Sequence, residues 1–437
     1  MKQWLQQIFP ENNRKPAILN GAYLIFVVSL LYQLIAQLFT VYDNKSWQIT
    51  EFLINYQGGF VRRGLTGELL FFLVGNFNVD IECTIKIVCL VCFLIVCIFF
   101  VRMFTRKGYS LYILPLCFFL GGIILSDNWI RKDFMFFCFL IPILWIYGKS
   151  NLAQLIKILI INILSIFIIL SHEVFAFFAL PVLLLLFFDC YKSKGVIRSL
   201  FLSSLCLLPG FLAFLLCLYH KGNVEISQVI WDSWMPFFTQ KTTDIGHAVD
   251  SLGWSGSRIM KAHFKINFFM ENQGIFSSIA WIVTFPVIYY ITTNALLVFR
   301  KDEMVFTNRH KIVLSSILIF QLFCLTPVFT LLSCDYIRVI FYWIASSFAI
   351  FIVVPIDKTE KLFPDVFVNF VVYINKKLTN VLFPTKTVLV FLMMFVGISP
   401  FYFVIEWTYK TTMLYNILFM LSKPFILLKS ILLNLIQ

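Results

Sequence analysis

Long apolar runs separated by polar connectors recur along the whole of this 437-residue chain. A helix needs about 20 apolar residues to cross the hydrocarbon core of a bilayer, so each run of that length predicts one span. The pattern therefore predicts an all-α polytopic membrane protein, residues 1–437, with about 11 or 12 transmembrane helices in a single domain. The first apolar run, 17–39, is too long for the apolar part of a signal peptide, and we expect it to be an uncleaved span.

The polar connectors are of two kinds. Most are short and contain most of the Lys and Arg residues, which is typical of cytoplasmic connectors and places the N-terminus in the cytoplasm. Two are long, at 41–82 and 220–276, and are predicted to be outward, periplasmic loops. The first long loop contains an apolar piece, 65–77, which is too short to cross and is expected to lie as an interfacial helix. The last apolar stretch, 413–436, predicts either a twelfth span or another interfacial helix.

Composition excludes several classes of protein. A mean hydropathy of +0.88 and 13% charged residues exclude a soluble domain, in which about a quarter of the residues are charged. The net charge of +13 does not indicate nucleic-acid binding, because no basic-aromatic module accompanies it; anionic membrane lipids are the expected partners. The 11 cysteines are scattered singly, mostly inside apolar runs, and predict no disulfide framework. No nucleotide-binding glycine motif or metal-ligand spacing is present, so we expect neither a cofactor nor a metal.

The most distinctive local sequence is Gly58-Gly59-Phe60-Val61-Arg62-Arg63-Gly64 in the first long loop. Glycine permits positive φ and a close approach of the backbone, and the planar arginine fork binds two phosphate oxygens at once. Arg62 and Arg63 are therefore candidate ligands of a phosphate or diphosphate, beside backbone amides that could add to the cradle. The alternative is an interfacial loop whose two arginines contact lipid headgroups.

His172 and Glu173 lie together between two strongly apolar runs. A charged group at such a position is costly unless it has a partner or a task, and a His/Glu pair suits proton transfer. Neighbouring residues of a helix point about 100° apart, so direct pairing of the two side chains is not implied. The alternative role is a polar cap at a helix end.

Further charged and aromatic residues fall at the same predicted outer ends. Arg131 and Lys132 either bind a second anionic group or pair internally, and Arg338 has the i, i+3 spacing of a salt bridge with Asp335. Three tryptophans of the second long loop suit either the stacking of sugar rings or anchoring in the membrane interface: Trp231, Trp234 and Trp254.

The order of elements at the start of the chain resembles the architecture of the C-type (GT-C) integral-membrane glycosyltransferases. It consists of a first span, a long outward loop that opens with the acid Asp43, an interfacial piece and a second span. The size, the Phe- and Ile-rich composition and the two long loops with arginines also resemble bacterial O-antigen-type polysaccharide polymerases. Gly58-Gly59-Phe60-Val61-Arg62-Arg63-Gly64 is the nearest thing to a motif in this resemblance. It implies a protein of the bacterial inner membrane that joins polyprenyl-diphosphate-linked glycan units on the periplasmic face.

On this resemblance, Arg62 and Arg63, with Arg131 or Arg338, would hold the leaving diphosphate. A base from Asp43, His172 or Glu173 would take the proton of the acceptor hydroxyl. The implied partners are a polyprenyl-linked glycan donor and acceptor, with chain-length regulators or flippases as protein partners.

Two alternatives come from other classes of protein. A flippase for lipid-linked oligosaccharides predicts charges or broken helices at mid-span and a repeat of two halves. The sequence shows no internal repeat, and ionisable residues at mid-span are scarce. A membrane acyltransferase that modifies glycans could use His172 as its base, but no matching His and Arg set lies in the predicted cytoplasmic segments.

Overall fold

The computed structural model describes residues 15–116, 118–125, 129–149, 151–238, 244–261, 274–298, 307–333, 335–382, 385, 388–389 and 392–393. Regular structure in these ranges is helical, and they contain no strand. The α-helices are α1 (Lys15–Phe39), α2 (Trp47–Leu53), α3 (Gly64–Phe77), α4 (Ile81–Arg106), α5 (Leu120–Leu125), α6 (Asp133–Gly148), α7 (Gln154–Ser171), α8 (Phe175–Tyr191), α9 (Val196–Cys206), α10 (Leu208–Tyr219), α11 (Val224–Trp234), α12 (His247–Asp250), α13 (Gly274–Val298), α14 (Asn308–Pro327), α15 (Tyr336–Val353), α16 (Ile356–Glu360) and α17 (Asp365–Val381). Short 3₁₀ turns occupy 111–113, 192–194, 235–237 and 251–253, and a π-helical turn, Val328–Leu332, continues α14.

Several helices have the length and apolar composition of membrane spans. Within the described ranges four qualify: α4, α7, α8 with its following turn (Phe175–Lys194), and α14 with the π turn (Asn308–Leu332). The pair α9 and α10 adds a fifth if it is counted as one span bent by 64°. The prediction of an all-α membrane protein is confirmed at this level.

Two predicted spans differ from the structure in their local form. The run 109–125 is not a single helix: it turns at Pro115 and resumes as α5. A Cβ on Gly121 would lie 2.0 Å from the Pro115 carbonyl oxygen, so the chain folds back at a separation that only glycine allows. The predicted span 199–219 is the bent pair α9 and α10. The predicted stretch 413–436 and most of the predicted span 387–407 lie outside the described residues.

The two long polar segments pack against each other. The short apolar piece of the first forms α3, and α2 precedes it with Ser46 as its N-cap. Trp234 of the second segment donates its indole N–H to the Leu53 carbonyl at 2.8 Å, and the Arg62 amide donates to the His220 carbonyl at 2.8 Å. These bonds join residues more than 150 positions apart, so the two segments form one layer.

The helices α6, α14 and α15 run between two chemically different ends of the molecule. At one end lie Asp133 of α6 and Arg338 of α15, next to the layer formed by the two long segments. At the other end the basic connectors meet: Lys358 lies over the Tyr147 ring at 5.6 Å, and His310 contacts Phe351 of α15. Connectors that the sequence assigns to the cytoplasm therefore lie together, away from Asp133 and Arg338.

Replacing Gly67 by Ala tests the contact of α3 with the layer. A Cβ at Gly67 would lie 1.8 Å from the Ile54 carbonyl oxygen. This oxygen belongs to the backbone, so it cannot avoid the Cβ by a change of side-chain rotamer. We expect Gly67→Ala to lower the free energy of unfolding by about 1–3 kcal/mol, measured by denaturant unfolding in detergent. Gly75 of the same helix is exposed, with its nearest atom at 3.9 Å, so Gly75→Ala is expected to be neutral or to stabilise by about 1 kcal/mol. Equal effects of the two substitutions would contradict this account of the contact.

Candidate functional site

A cavity of about 640 Å³ lies between the layer of the two long segments and the ends of α8, α10, α14 and α15. This volume is in the range of ordinary small-molecule sites, about 300–1,000 Å³. One part of its wall is apolar, with Phe177, Leu218, Val328 and Leu332. The polar part is dominated by cations: five arginines against two carboxylates, namely Arg62, Arg63, Arg131, Arg258 and Arg338 against Glu173 and Asp335.

Glu51 of α2 is the central carboxylate behind the polar wall. It is 2% exposed, and its Oε2 accepts a hydrogen bond from Nε of Arg131. Its Oε1 lies 3.5 Å from both His172 Nε2 and Arg338 Nη2 and has no hydrogen-bond partner within the described residues. The Glu51 carboxylate therefore connects α2 to the segment before α6, to the end of α7 and to α15.

Asp133 forms a second buried pair. Arg338 Nε donates to Asp133 at 2.8 Å and Arg338 Nη2 at 2.9 Å, and the Tyr342 hydroxyl also donates to this carboxylate. Arg338 Nη1 lies 3.2 Å from Asp335, so the i, i+3 salt bridge that the spacing indicates is present. Arg131 and Asp133, neighbours in sequence, pair with other elements rather than with each other.

Glu173 pairs with the two adjacent arginines of the first long segment. Arg63 donates through Nε at 2.9 Å and through Nη2 at 2.6 Å, while Arg62 Nη1 is 3.5 Å away. Arg63 has φ of 66°, a left-handed conformation that costs a non-glycine residue energy and is common at functional sites. The Arg62 amide is bonded to the His220 carbonyl, so the side chains of these arginines, rather than the amide of Arg62, are available to a ligand.

Lys132 is completely buried beneath this cluster. Its ammonium donates to the carbonyls of Arg63 at 3.3 Å and Ser171 at 3.2 Å, and it lies 5.5 Å from the Phe52 ring centroid. Burial lowers the pKa of Lys132 to about 8, although Glu51 acts in the opposite direction. Lys132 does not line the cavity. It ties the backbone of the arginine loop to the end of α7.

His172 is held as a donor. The Val174 amide donates to His172 Nδ1 at 3.2 Å, so the ring proton of the neutral form lies on Nε2, which faces Glu51. Burial, and next Arg63, hold the pKa of His172 well below its usual value, so the ring is neutral at pH 7. Its one basic nitrogen is already engaged by a backbone amide.

The carboxylates of Glu51 and Glu173 are ionised. Burial alone would raise the pKa of Glu51, but Arg131 and Arg338 outweigh it and hold the pKa well below its usual range. The same balance applies to Glu173: burial raises its pKa, but Arg63, His172 and Arg62 together outweigh burial and hold the pKa of the carboxyl well below its usual range. Glu51 and Glu173 therefore form charged pairs with their arginines.

The structure brings most of the predicted site residues together and leaves others apart. Arg62, Arg63, Arg131, Arg338, His172 and Glu173 line the cavity, and Lys132 lies behind it. Asp43 is exposed, accepts a hydrogen bond from the Lys45 amide and does not line the cavity.

The three candidate tryptophans have different surroundings. Trp231 and Trp234 are fully buried in the core of the layer and present no open face to a sugar. Trp254 lines the cavity, with the Arg258 guanidinium 4.8 Å above its ring. Among the three, the geometry for stacking a ligand is therefore found at Trp254.

Sequence reasoning missed Glu51 and Tyr342. The sequence around Glu51 could have identified it, because this acid lies beside the apolar Ile49, Phe52 and Leu53, where a buried charge needs a partner. Tyr342 had no such signal, since a tyrosine in an apolar span is ordinary. Trp47, which lines the cavity and stacks on His247 at 5.9 Å, was also missed.

The described residues contain no group of three or more His, Cys, Asp or Glu side chains placed to hold a metal ion. No protein-family model, curated protein or solved structure matches this chain.

Proposed function

We propose that this protein is a membrane glycosyltransferase of the polysaccharide-polymerase type, which joins polyprenyl-diphosphate-linked glycan units during the assembly of a surface polysaccharide. The observation that carries the proposal is the two-part wall of the cavity, with arginines on one side and Phe177, Leu218, Val328 and Leu332 on the other. Such a wall suits an amphiphile with an anionic head. A polyprenyl diphosphate has this chemistry.

The surroundings of Arg62 are evidence that the ligand has an anionic part. Its Nε is buried and has no acceptor within the described residues, which is costly for a charged donor. A phosphate oxygen in the cavity would supply the missing acceptor. The neighbouring Arg63 offers a planar fork that matches a second oxygen.

The aromatic side chains at the cavity are evidence that the ligand has a glycan part. Trp47, Trp254 and Tyr342 line it together with Gln48, a combination of flat apolar faces and hydrogen-bonding groups that suits sugar rings. In the proposed reaction, arginines stabilise the charge that develops on the departing diphosphate, and no metal is required for this task.

The proposed orientation places the cavity on the periplasmic face of a bacterial inner membrane, in a GT-C-like architecture with 41–82 and 220–276 as outer loops. Its support is the gathering of the basic connectors at the opposite end, since cytoplasmic connectors are rich in Lys and Arg.

The test uses the purified full chain in proteoliposomes with a polyprenyl-diphosphate-linked oligosaccharide. If the protein catalyses transfer, glycans of two or more units should appear on a gel. One free polyprenyl diphosphate should be released for each glycosidic bond formed. In cells, deletion of the gene should remove the long-chain ladder and leave single units on the surface.

The flippase alternative predicts a different pair of results. The lipid-linked unit would cross the bilayer of the proteoliposome without any new glycosidic bond, and single units would be lost from the cell surface. Either of these results would overturn the proposed function.

A further inference from the structure

Both partners of the Arg63–Glu173 pair line the cavity. The same is true of the Arg338–Asp335 pair, but Arg338 is also held from behind the wall by the buried Asp133. In the Arg131–Glu51 and Arg338–Asp133 pairs only the arginine lines the cavity, and the carboxylates are 2% and 0% exposed behind the wall. An anion that enters the cavity can therefore take the place of Glu173. It cannot reach the space occupied by the other two carboxylates.

Arg62 gives such an anion a first contact. In the part of the chain that the structure describes, its Nε has no acceptor, and its closest carboxylate contact is the 3.5 Å approach of Nη1 to Glu173. Arg63 follows it directly, and the Arg63 carbonyl is held by Lys132. The backbone of the loop is thus fixed by a contact that does not involve Glu173, so an exchange of acceptors by the Arg63 side chain does not require the backbone to move.

We propose that the donor diphosphate displaces Glu173 from Arg62 and Arg63, and that the carboxylate set free in this way is the general base of the transfer. This inference rests on the proposed function. Glu173 takes the proton of the acceptor hydroxyl as the acceptor oxygen forms its bond to the anomeric carbon. The bond from that carbon to the phosphate oxygen breaks, and the diphosphate leaves with the bonding electrons, held by the two arginines.

The exchange changes the electrostatics of Glu173 in the direction that a base needs. The charged and titratable groups that face it are Arg62 and Arg63 from the loop, Lys132 from the start of α6, His172 beside it and Cys217 from α10. Arg63 is the strongest of the influences that hold its pKa down against burial. Once the diphosphate takes the arginines, burial prevails and the carboxylate becomes a stronger base. Base strength therefore develops only when the donor is bound.

The test compares wild type, Glu173→Gln and Glu173→Asp in lipid nanodiscs, with farnesyl diphosphate as the binding probe and the polyprenyl-linked oligosaccharide as the substrate for turnover. If Glu173 competes with the ligand for the arginines, Glu173→Gln should bind the probe about tenfold more tightly. Its turnover should fall about 100-fold or more, because the base is lost. Glu173→Asp, whose shorter carboxylate weakens the fork, should bind a few-fold more tightly and turn over slowly.

The matched control is Asp232→Asn, an exposed carboxylate of α11 outside the cavity, which should leave binding and turnover unchanged. Thermal unfolding of each variant establishes that it is folded. Weaker binding by both Glu173 variants would overturn the exchange and make Glu173 a positioning residue, with the proposed function intact. Failure of the wild type to bind the probe or to form a glycosidic bond would overturn the proposed function instead.

Discussion

Arg338→Met is expected to lower the free energy of unfolding by about 3–5 kcal/mol, because it removes the cation that serves two buried carboxylates. Of its close partners among the described residues, Asp133 would keep the Tyr342 hydroxyl alone, and Glu51 would keep Arg131. A charge that remains buried without its partner costs far more than the pair contributes. Denaturant unfolding in detergent, followed by tryptophan fluorescence, measures the loss.

The matched control is Arg309→Met at the opposite end of the molecule. Arg309 makes contacts of 2.6 Å with Asp357 and Glu360, but its side chain is 47% exposed. Exposed pairs contribute about 0–1 kcal/mol, so this variant should unfold almost as the wild type does. Adding Asp133→Leu to Arg338→Met should restore part of the stability, since the unpaired charge is then gone. Similar losses for Arg338→Met and Arg309→Met would show that burial does not govern these pairs.

Arg62→Ala is expected to reduce the rate of glycan transfer by about 10²–10³-fold, the usual effect of removing one donor that stabilises developing charge. Among the described residues its guanidinium makes one 3.5 Å ion-pair contact and has a buried donor without an acceptor, so we expect little of the folded structure to depend on it. The change should therefore appear in turnover and in binding of farnesyl diphosphate, with a nearly unchanged unfolding transition. Initial rates in proteoliposomes and unfolding curves in detergent provide the two measurements.

Lys45→Ala is the comparison for this substitution. Lys45 is another cation of the first long segment, but it pairs with the exposed Asp244 at 2.7 Å and does not line the cavity. Its removal should leave the transfer rate unchanged, whereas Arg62→Lys should recover part of the lost rate by restoring the charge without the fork. Wild-type turnover by Arg62→Ala would remove this arginine from the proposed mechanism.

The sequence by itself determined the class of structure, because apolar run length is a local property and the bilayer permits few solutions for the backbone. It also identified six of the residues that line the cavity, since charges at the ends of apolar runs are costly and stand out: Arg62, Arg63, Arg131, His172, Glu173 and Arg338. The breaks in the runs at 109–125 and 199–219 were not predicted, because they depend on contacts of the backbone that hydropathy does not record.

The tertiary structure alone decided how these charges are paired. Glu51 meets Arg131 across 80 positions and Asp133 meets Arg338 across 205, and no local pattern encodes such distances. It also separated Trp254 from the buried Trp231 and Trp234, which the sequence could not distinguish. The physical reason is that the hydrophobicity of a residue depends on its own side chain and can be read from the sequence. The free energy of a buried charge depends instead on which distant residue the fold places beside it.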